Sequence, residues 1–176
     1  MKILSIISFL LCFCFIKVSA QKITSAEIQV NGLTCSMCSQ ATEKSLRTLN
    51  YVSSVKPDLN KNLFVLTFKN EAVSIDQLKN KVEDAGFSVG RLTTEMAFDN
   101  VKVDANGQAQ IGNAVYRFVN VKNKTLNGPV KVTIIDKSFV TAPVFKSWAG
   151  KISSDAYKTG TTVVKGKKVR VYHVSV

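Results

Sequence analysis

Cys35 and Cys38 are the side chains whose type and spacing most directly permit chemistry in this 176-residue sequence. They lie in Gly32-Leu33-Thr34-Cys35-Ser36-Met37-Cys38, where two intervening residues leave both sulfurs free to close on one ion or on each other. Thiolates are soft ligands that favour Cu(I) and similar polarizable ions over Mg²⁺ or Ca²⁺. A structural zinc site ordinarily takes four protein ligands, and no other candidates lie close in sequence. Two sulfurs on an exposed turn suit a low-coordinate soft ion and leave room for a further thiol to enter. Met37 offers a thioether, but its position between the cysteines points it outward.

Two other uses of such a pair compete. Cys-x-x-Cys at a helix start is also the layout of thiol-disulfide exchange. Against that, no Trp precedes Cys35, the lone Trp148 is far downstream, and no proline sits in an obvious place opposite the pair. A structural staple is the third use, yet closing so short a loop stabilises little compared with a long-range disulfide. No acid–base pair, nucleophile–base pair or phosphate loop is visible, so the chain does not read as an enzyme.

The elements around the thiols follow from hydrophobic period. Ile23 to Val30 reads as a strand with Ile28 and Val30 as apolar beats. Ala41, Leu46 and Leu49 at helical spacing indicate a helix after the cysteines. Tyr51–Val55 reads as a short strand ending before Pro57, and Leu63–Phe68 as a buried one. Ser74-Ile75-Asp76-Gln77 is a capping box opening a second helix with the stripe Ile75, Leu78, Val82 and Ala85. Gly86 suits the left-handed turn that closes such a helix, and Phe87–Leu92 supplies a last strand. The order is βαββαβ, an antiparallel sheet with two helices on one face.

The strand, the Gly-x-Thr-Cys-x-x-Cys turn, the following helix and the Ala85-Gly86-Phe87 ending together resemble the heavy-metal-associated domain family over about residues 23–95. Leu33 stands where that family most often has Met, and fills the same apolar anchor role. The resemblance implies a ferredoxin-like fold with metal ligation by Cys35 and Cys38. Gly32 and Thr34 then shape the loop, Leu33 anchors it and Phe87 shields it. It also implies metallochaperone-like handling of Cu(I), exchanged with a donor or acceptor protein that exposes thiols. A single exported copy is similar as well to periplasmic mercury-binding proteins, which makes Hg(II) the second metal.

Lys2, the apolar run from Ile3 to Ile16 and Val18-Ser19-Ala20 have the pattern of a secretory signal peptide over residues 1–20. The run is shorter than the roughly 20 residues of a membrane span. Cleavage after Ala20 removes Cys12 and Cys14 and places the mature chain in a secreted or periplasmic compartment, with no transmembrane segment. Charge divides the remainder. Residues 21–95 carry nine basic and eight acidic side chains, whereas residues 96–176 carry thirteen and four. Such asymmetry suggests a metal domain over 21–95 and a basic domain over 96–176.

In that second half helical periodicity fades. Asp104-Ala105-Asn106-Gly107 marks a turn, Val115–Val119 and Val130–Ile134 alternate, and Thr161–Val176 folds back around Lys165-Gly166-Lys167-Lys168. The expected fold class is therefore α+β: a ferredoxin-like unit followed by a small all-β barrel or sandwich, OB-like. Aromatics in strands are ordinarily core and scattered lysines a solvated face, so nucleic acid is not the expected partner. An acidic protein or an anionic envelope surface suits the charge better, and a scaffold role in the envelope is a third class of function. His173, the lone histidine, reads as a strand residue rather than a ligand, and Asn123-Lys124-Thr125 is a glycosylation pattern too short to carry a function.

Overall fold

The computed structural model describes residues 22–176; the expected signal peptide lies outside them. Strands β1 (Lys22–Asn31), β2 (Val52–Asp58), β3 (Leu63–Phe68) and β4 (Ser88–Val103) alternate with helices α1 (Ser36–Arg47) and α2 (Ile75–Asp84) in the expected βαββαβ order. β1 lies between β3 and β4, antiparallel to both, and β2 forms the edge beyond β3. Pro57 is inside β2 rather than beyond it. The strand is an edge, where a residue without an N–H leaves no ladder bond broken. Ile28, Leu46, Phe64, Leu66, Leu78, Val82 and Leu92 are all fully or almost fully buried between sheet and helices. Each contributes about 1.5–3 kcal/mol of hydrophobic free energy.

The α1 stripe differs from expectation. Ala41 is exposed, and the buried residues are Ser39, Thr42 and Leu46. Thr42 can be buried because its Oγ1 donates to the Cys38 carbonyl at 3.1 Å. Ser74 caps α2 as expected, its hydroxyl accepting from Gln77 N at 3.3 Å, and Gly86 has φ +88.

The second half adds β5 (Gln108–Ile111), β6 (Ala114–Phe118), β7 (Lys124–Ile134), β8 (Thr161–Val164) and β9 (Lys167–Ser175), with helices α3 (Ala142–Ala149) and α4 (Asp155–Thr159) before β8. The expectation of a small all-β barrel or sandwich fails on two counts. Two helices are present. And β4 runs unbroken through residues 95 and 96, so the later strands extend the same sheet in the order β2-β3-β1-β4-β7-β9-β6-β5, with β8 on β9. The alternation Leu92, Thr94, Met96, Phe98, all buried, continues across that point. The change in charge marks a change of surface and not a break in the core. One hydrophobic cluster joins Ile23 to Val174.

Polar contacts tie the halves at the start of α2. Tyr172 Oη donates to Asp76 Oδ2 at 2.8 Å, and Arg170 Nε donates to the same carboxylate at 3.1 Å. Arg170 Nη1 also faces buried Asp136 at 3.2 Å, and Asp136 accepts from His173 Nδ1 at 2.9 Å. Among the described residues no helix is long and apolar enough to cross a membrane.

Candidate metal centre

Both thiols sit where β1 gives way to α1. Gly32, at φ +89, takes the left-handed conformation that turns the chain out of the strand, a shape a side chain would strain. A Cβ there would lie 3.6 Å from Phe87 Cδ1, so the Phe87 ring rests beside the loop. Leu33 is partly buried and packs on the core beneath it, while Thr34 and Cys35 are exposed.

Cys35 is the N-cap of α1, with extended backbone angles of φ −149 and ψ 161. Its sulfur accepts from the Cys38 backbone N–H at 3.3 Å, taking the place that a Ser or Asp oxygen usually fills. Hydrogen bonding from the Cys38 side chain and then from its backbone lowers the Cys35 thiol below its ordinary value, against a smaller opposing effect of desolvation. The positive end of α1 acts in the same sense. Cys38 is half-buried one turn into the helix, and neither cysteine is bridged. Met37 points outward, 70 % exposed.

The sequence expected the pair at a helix start, and Cys35 and Cys38 stand there, with Leu33 packed on the core and Phe87 beside Gly32. It missed what lies underneath. Thr42 donates to the Cys38 carbonyl and Ser39 is buried next to Cys38, and neither residue type signals burial in a sequence. His173 stands apart from the thiols: it is fully buried in β9, hydrogen-bonded to Asp136, with the Tyr157 ring edge-on at 5.0 Å. No group of three or more His, Cys, Asp or Glu suited to a metal occurs among the described residues. Any ion held here would rest on two sulfurs, with its remaining coordination open to solvent or to an incoming thiol.

The profile of the heavy-metal-associated domain matches residues 27–88. The copper chaperone CopZ of Staphylococcus haemolyticus is 39 % identical over 62 residues, 35 % of this chain and 91 % of that protein. The probable copper-transporting ATPase HMA5 of Arabidopsis thaliana is 30 % identical over 73 residues, 42 % of this chain but 7 % of the ATPase. Among solved structures, the yeast copper transporter domain Ccc2a aligns at a TM-score of 0.35 and 33 % identity, over 38 % of this chain and 90 % of that one. On the profile and the chaperone match, this chain belongs to the heavy-metal-associated domain family.

Proposed function

We propose that the protein binds Cu(I) through Cys35 and Cys38 and exchanges it with the thiols of a partner protein. The observation that carries this reading is the capping geometry. The Cys35 sulfur accepts the Cys38 N–H on an exposed helix start, which favours thiolate while leaving the sulfur accessible. That two relatives carry copper chaperone and copper-transporting ATPase names supports copper as the cargo.

Loading releases a proton from each thiol as two Cu–S bonds form. In transfer, a partner thiolate first adds to the open coordination position. One Cu–S bond to this chain then breaks, and the freed sulfur takes up a proton. The second sulfur follows in the same way. Copper stays +1 throughout and no external oxidant or reductant is consumed, so the protein is read as a carrier and not a catalyst. Two thiolates would also accept Hg(II), which competes for the same pair.

The test is anaerobic titration with Cu(I) against a chromophoric chelator. One ion per chain, lost in Cys35→Ser/Cys38→Ser, is the expected result. Unchanged affinity in that double variant rejects the assignment. Mercury added in competition reads the relative preference for the two metals. We further propose export, supported by the basic start, apolar run and small residues of positions 1–20. A mature chain recovered from cells with Gln21 at its N-terminus is the expected finding, and one retaining Met1 overturns it.

A further inference from the structure

A cleft of about 530 Å³ lies between residues 71–74, which lead into α2, and residues 111–114 at the β5–β6 turn. That volume is in the range of small-molecule sites. Asp76, bonded to Tyr172 and Arg170 of β9, fastens the two sides together. Ile23, near the start of β1, lines the cleft. The thiol loop follows the other end of that strand, about 25 Å along at the rise of an extended chain. The cleft is therefore separate from the metal centre.

Its floor is apolar. Ile23, Met96 and Ile111 all line it and are otherwise buried. At the turn, Gly112 has φ +56, and a Cβ built there would meet nothing within 4 Å, so no other part of the described chain fills that space. Tyr116 also lines the cleft and is 5 % exposed, its ring centroid 5.2 Å from that of Tyr172. Tyr172 Oη donates to Asp76, but Tyr116 Oη has no hydrogen-bond partner among the described residues. A buried tyrosine hydroxyl ordinarily finds one. Nor is this oxygen sealed in as Asp136 Oδ2 and His173 Nε2 are, so it opens on the cleft. Phenylalanine would fill the position without an unmade bond, so the hydroxyl calls for an acceptor that the chain does not supply. Burial pushes the Tyr116 phenol well above its ordinary value, against an opposing pull from Arg170, and keeps it a donor.

The charges decide what can enter. Arg170 is the one cation among the lining residues, and its nitrogens are already engaged. Nε and Nη2 donate to Asp76 at 3.1 and 3.3 Å, while Nη1 donates to the Gly160 carbonyl at 2.8 Å and faces Asp136 at 3.2 Å. Glu71 lines the cleft from an exposed position, and no ion pair engages it among the described residues. An anion would meet a free carboxylate and no free cation.

We propose that this cleft binds a small, uncharged aromatic molecule whose carbonyl oxygen accepts from Tyr116 Oη. Its ring lies against Met96 and the tyrosines, contacts that favour an aromatic over an aliphatic of equal size. A carbonyl accepts without bringing charge or a donor, which matches one unpartnered hydroxyl beside a neutralised guanidinium. The second half of the chain thus has a ligand of its own, independent of the metal-carrier reading.

The experiment uses the whole mature chain, reduced and copper-free, labelled with nitrogen-15 and titrated while amide chemical shifts are followed. The probes are acetophenone, α-methylstyrene (in which a CH₂ group replaces the carbonyl oxygen) and benzoate. Acetophenone is expected to shift the amides of Val73, Ser74 and Gly112 to Ala114 saturably, and benzoate to leave them unmoved. Tyr116→Phe keeps the ring and removes the donor. It weakens acetophenone about 3- to 10-fold, the worth of one neutral hydrogen bond, and leaves α-methylstyrene bound as well or better. Ala72→Trp, at an exposed lining position, fills the cleft and blocks both probes, with circular dichroism checking that the fold is kept. A cleft that holds only water gives no saturable shift with acetophenone, and that result overturns the proposal. So do shifts centred outside the cleft, equal effects of Tyr116→Phe on acetophenone and α-methylstyrene, or benzoate binding as tightly as acetophenone.

Discussion

Arg170→Met is the sharpest test of how the two halves are joined. Asp136 is 3 % exposed at its side chain, and its Oδ1 already accepts the His173 backbone N–H at 3.1 Å and Nδ1 at 2.9 Å. Among the described residues Oδ2 has no hydrogen-bond partner and is balanced only by Arg170 Nη1 at 3.2 Å. Burial opposes the Arg170 charge, yet Asp76 and Asp136 more than offset it and hold the guanidinium above its usual value. Methionine keeps the apolar stem and removes the charge, leaving a carboxylate stranded in the core. Breaking a buried pair in this way costs about 3–5 kcal/mol. Asp76 is more exposed and keeps the Tyr172 hydroxyl, so its loss adds at most ~1 kcal/mol.

With a urea slope of about 2 kcal/mol per molar, the midpoint falls by roughly 1.5–2.5 M. The assay is equilibrium urea unfolding read by Trp148 fluorescence and far-ultraviolet circular dichroism. Both probes should move together, because one core spans both halves. Arg170→Met/Asp136→Asn supplies the control. Removing the stranded charge limits the cost to the ~1–3 kcal/mol of an imperfectly bonded amide, so the double variant is more stable than the single one. A single variant losing under ~1 kcal/mol, or a double variant no better than it, refutes the reasoning.

Two further expectations concern proton equilibria. The Cys35 thiol is held low by Cys38, so alkylation of Cys35 with iodoacetamide should rise with pH at a midpoint below that of a free cysteine. Proteolytic mapping of the label identifies the residue, and an ordinary midpoint contradicts the capping argument. Burial pushes the Tyr51 phenol up to about 12 while its hydroxyl donates to the Ser74 carbonyl at 3.0 Å. The folded state then holds that proton more tightly than the unfolded state. Stability is thus unaffected below pH ~10 and falls as pH rises from there towards 12. Tyr51→Phe should flatten part of that fall in alkaline denaturation curves; an identical slope removes Tyr51 from the account.

The metal half was legible in the sequence because its signals are local. The capping box at Ser74, the glycine turns at Gly32 and Gly86, and the alternation of Leu63–Phe68 each act over a few residues and agree on one topology. The thiol pair was legible for the same reason, since three positions of spacing at a helix start suffice to bring two sulfurs to one ion. Ala41 misled because periodicity alone does not say which face of α1 meets the sheet. That α1 buries Ser39 and Thr42 became visible only in the packed structure, where Thr42 bonds to the Cys38 carbonyl.

In the second half the informative contacts are remote. α3 is eight residues long, opens with a proline in its first turn and buries none of its residues, so the helical spacing of Val144, Phe145 and Trp148 marks no core face. The parallel pairing of β6 with β9 joins Ala114 to Arg170, and the bond from Arg170 to Asp76 spans 94 positions. Only chain closure over such distances could show that the basic half extends the metal domain's own sheet. By itself, then, the sequence determined the spacing of the thiol pair, its loop and the fold that presents it, all by short-range sterics and hydrophobic period. The tertiary structure decided how the basic half joins that fold, because which surfaces meet depends on the free energy of one shared core and not on any local pattern.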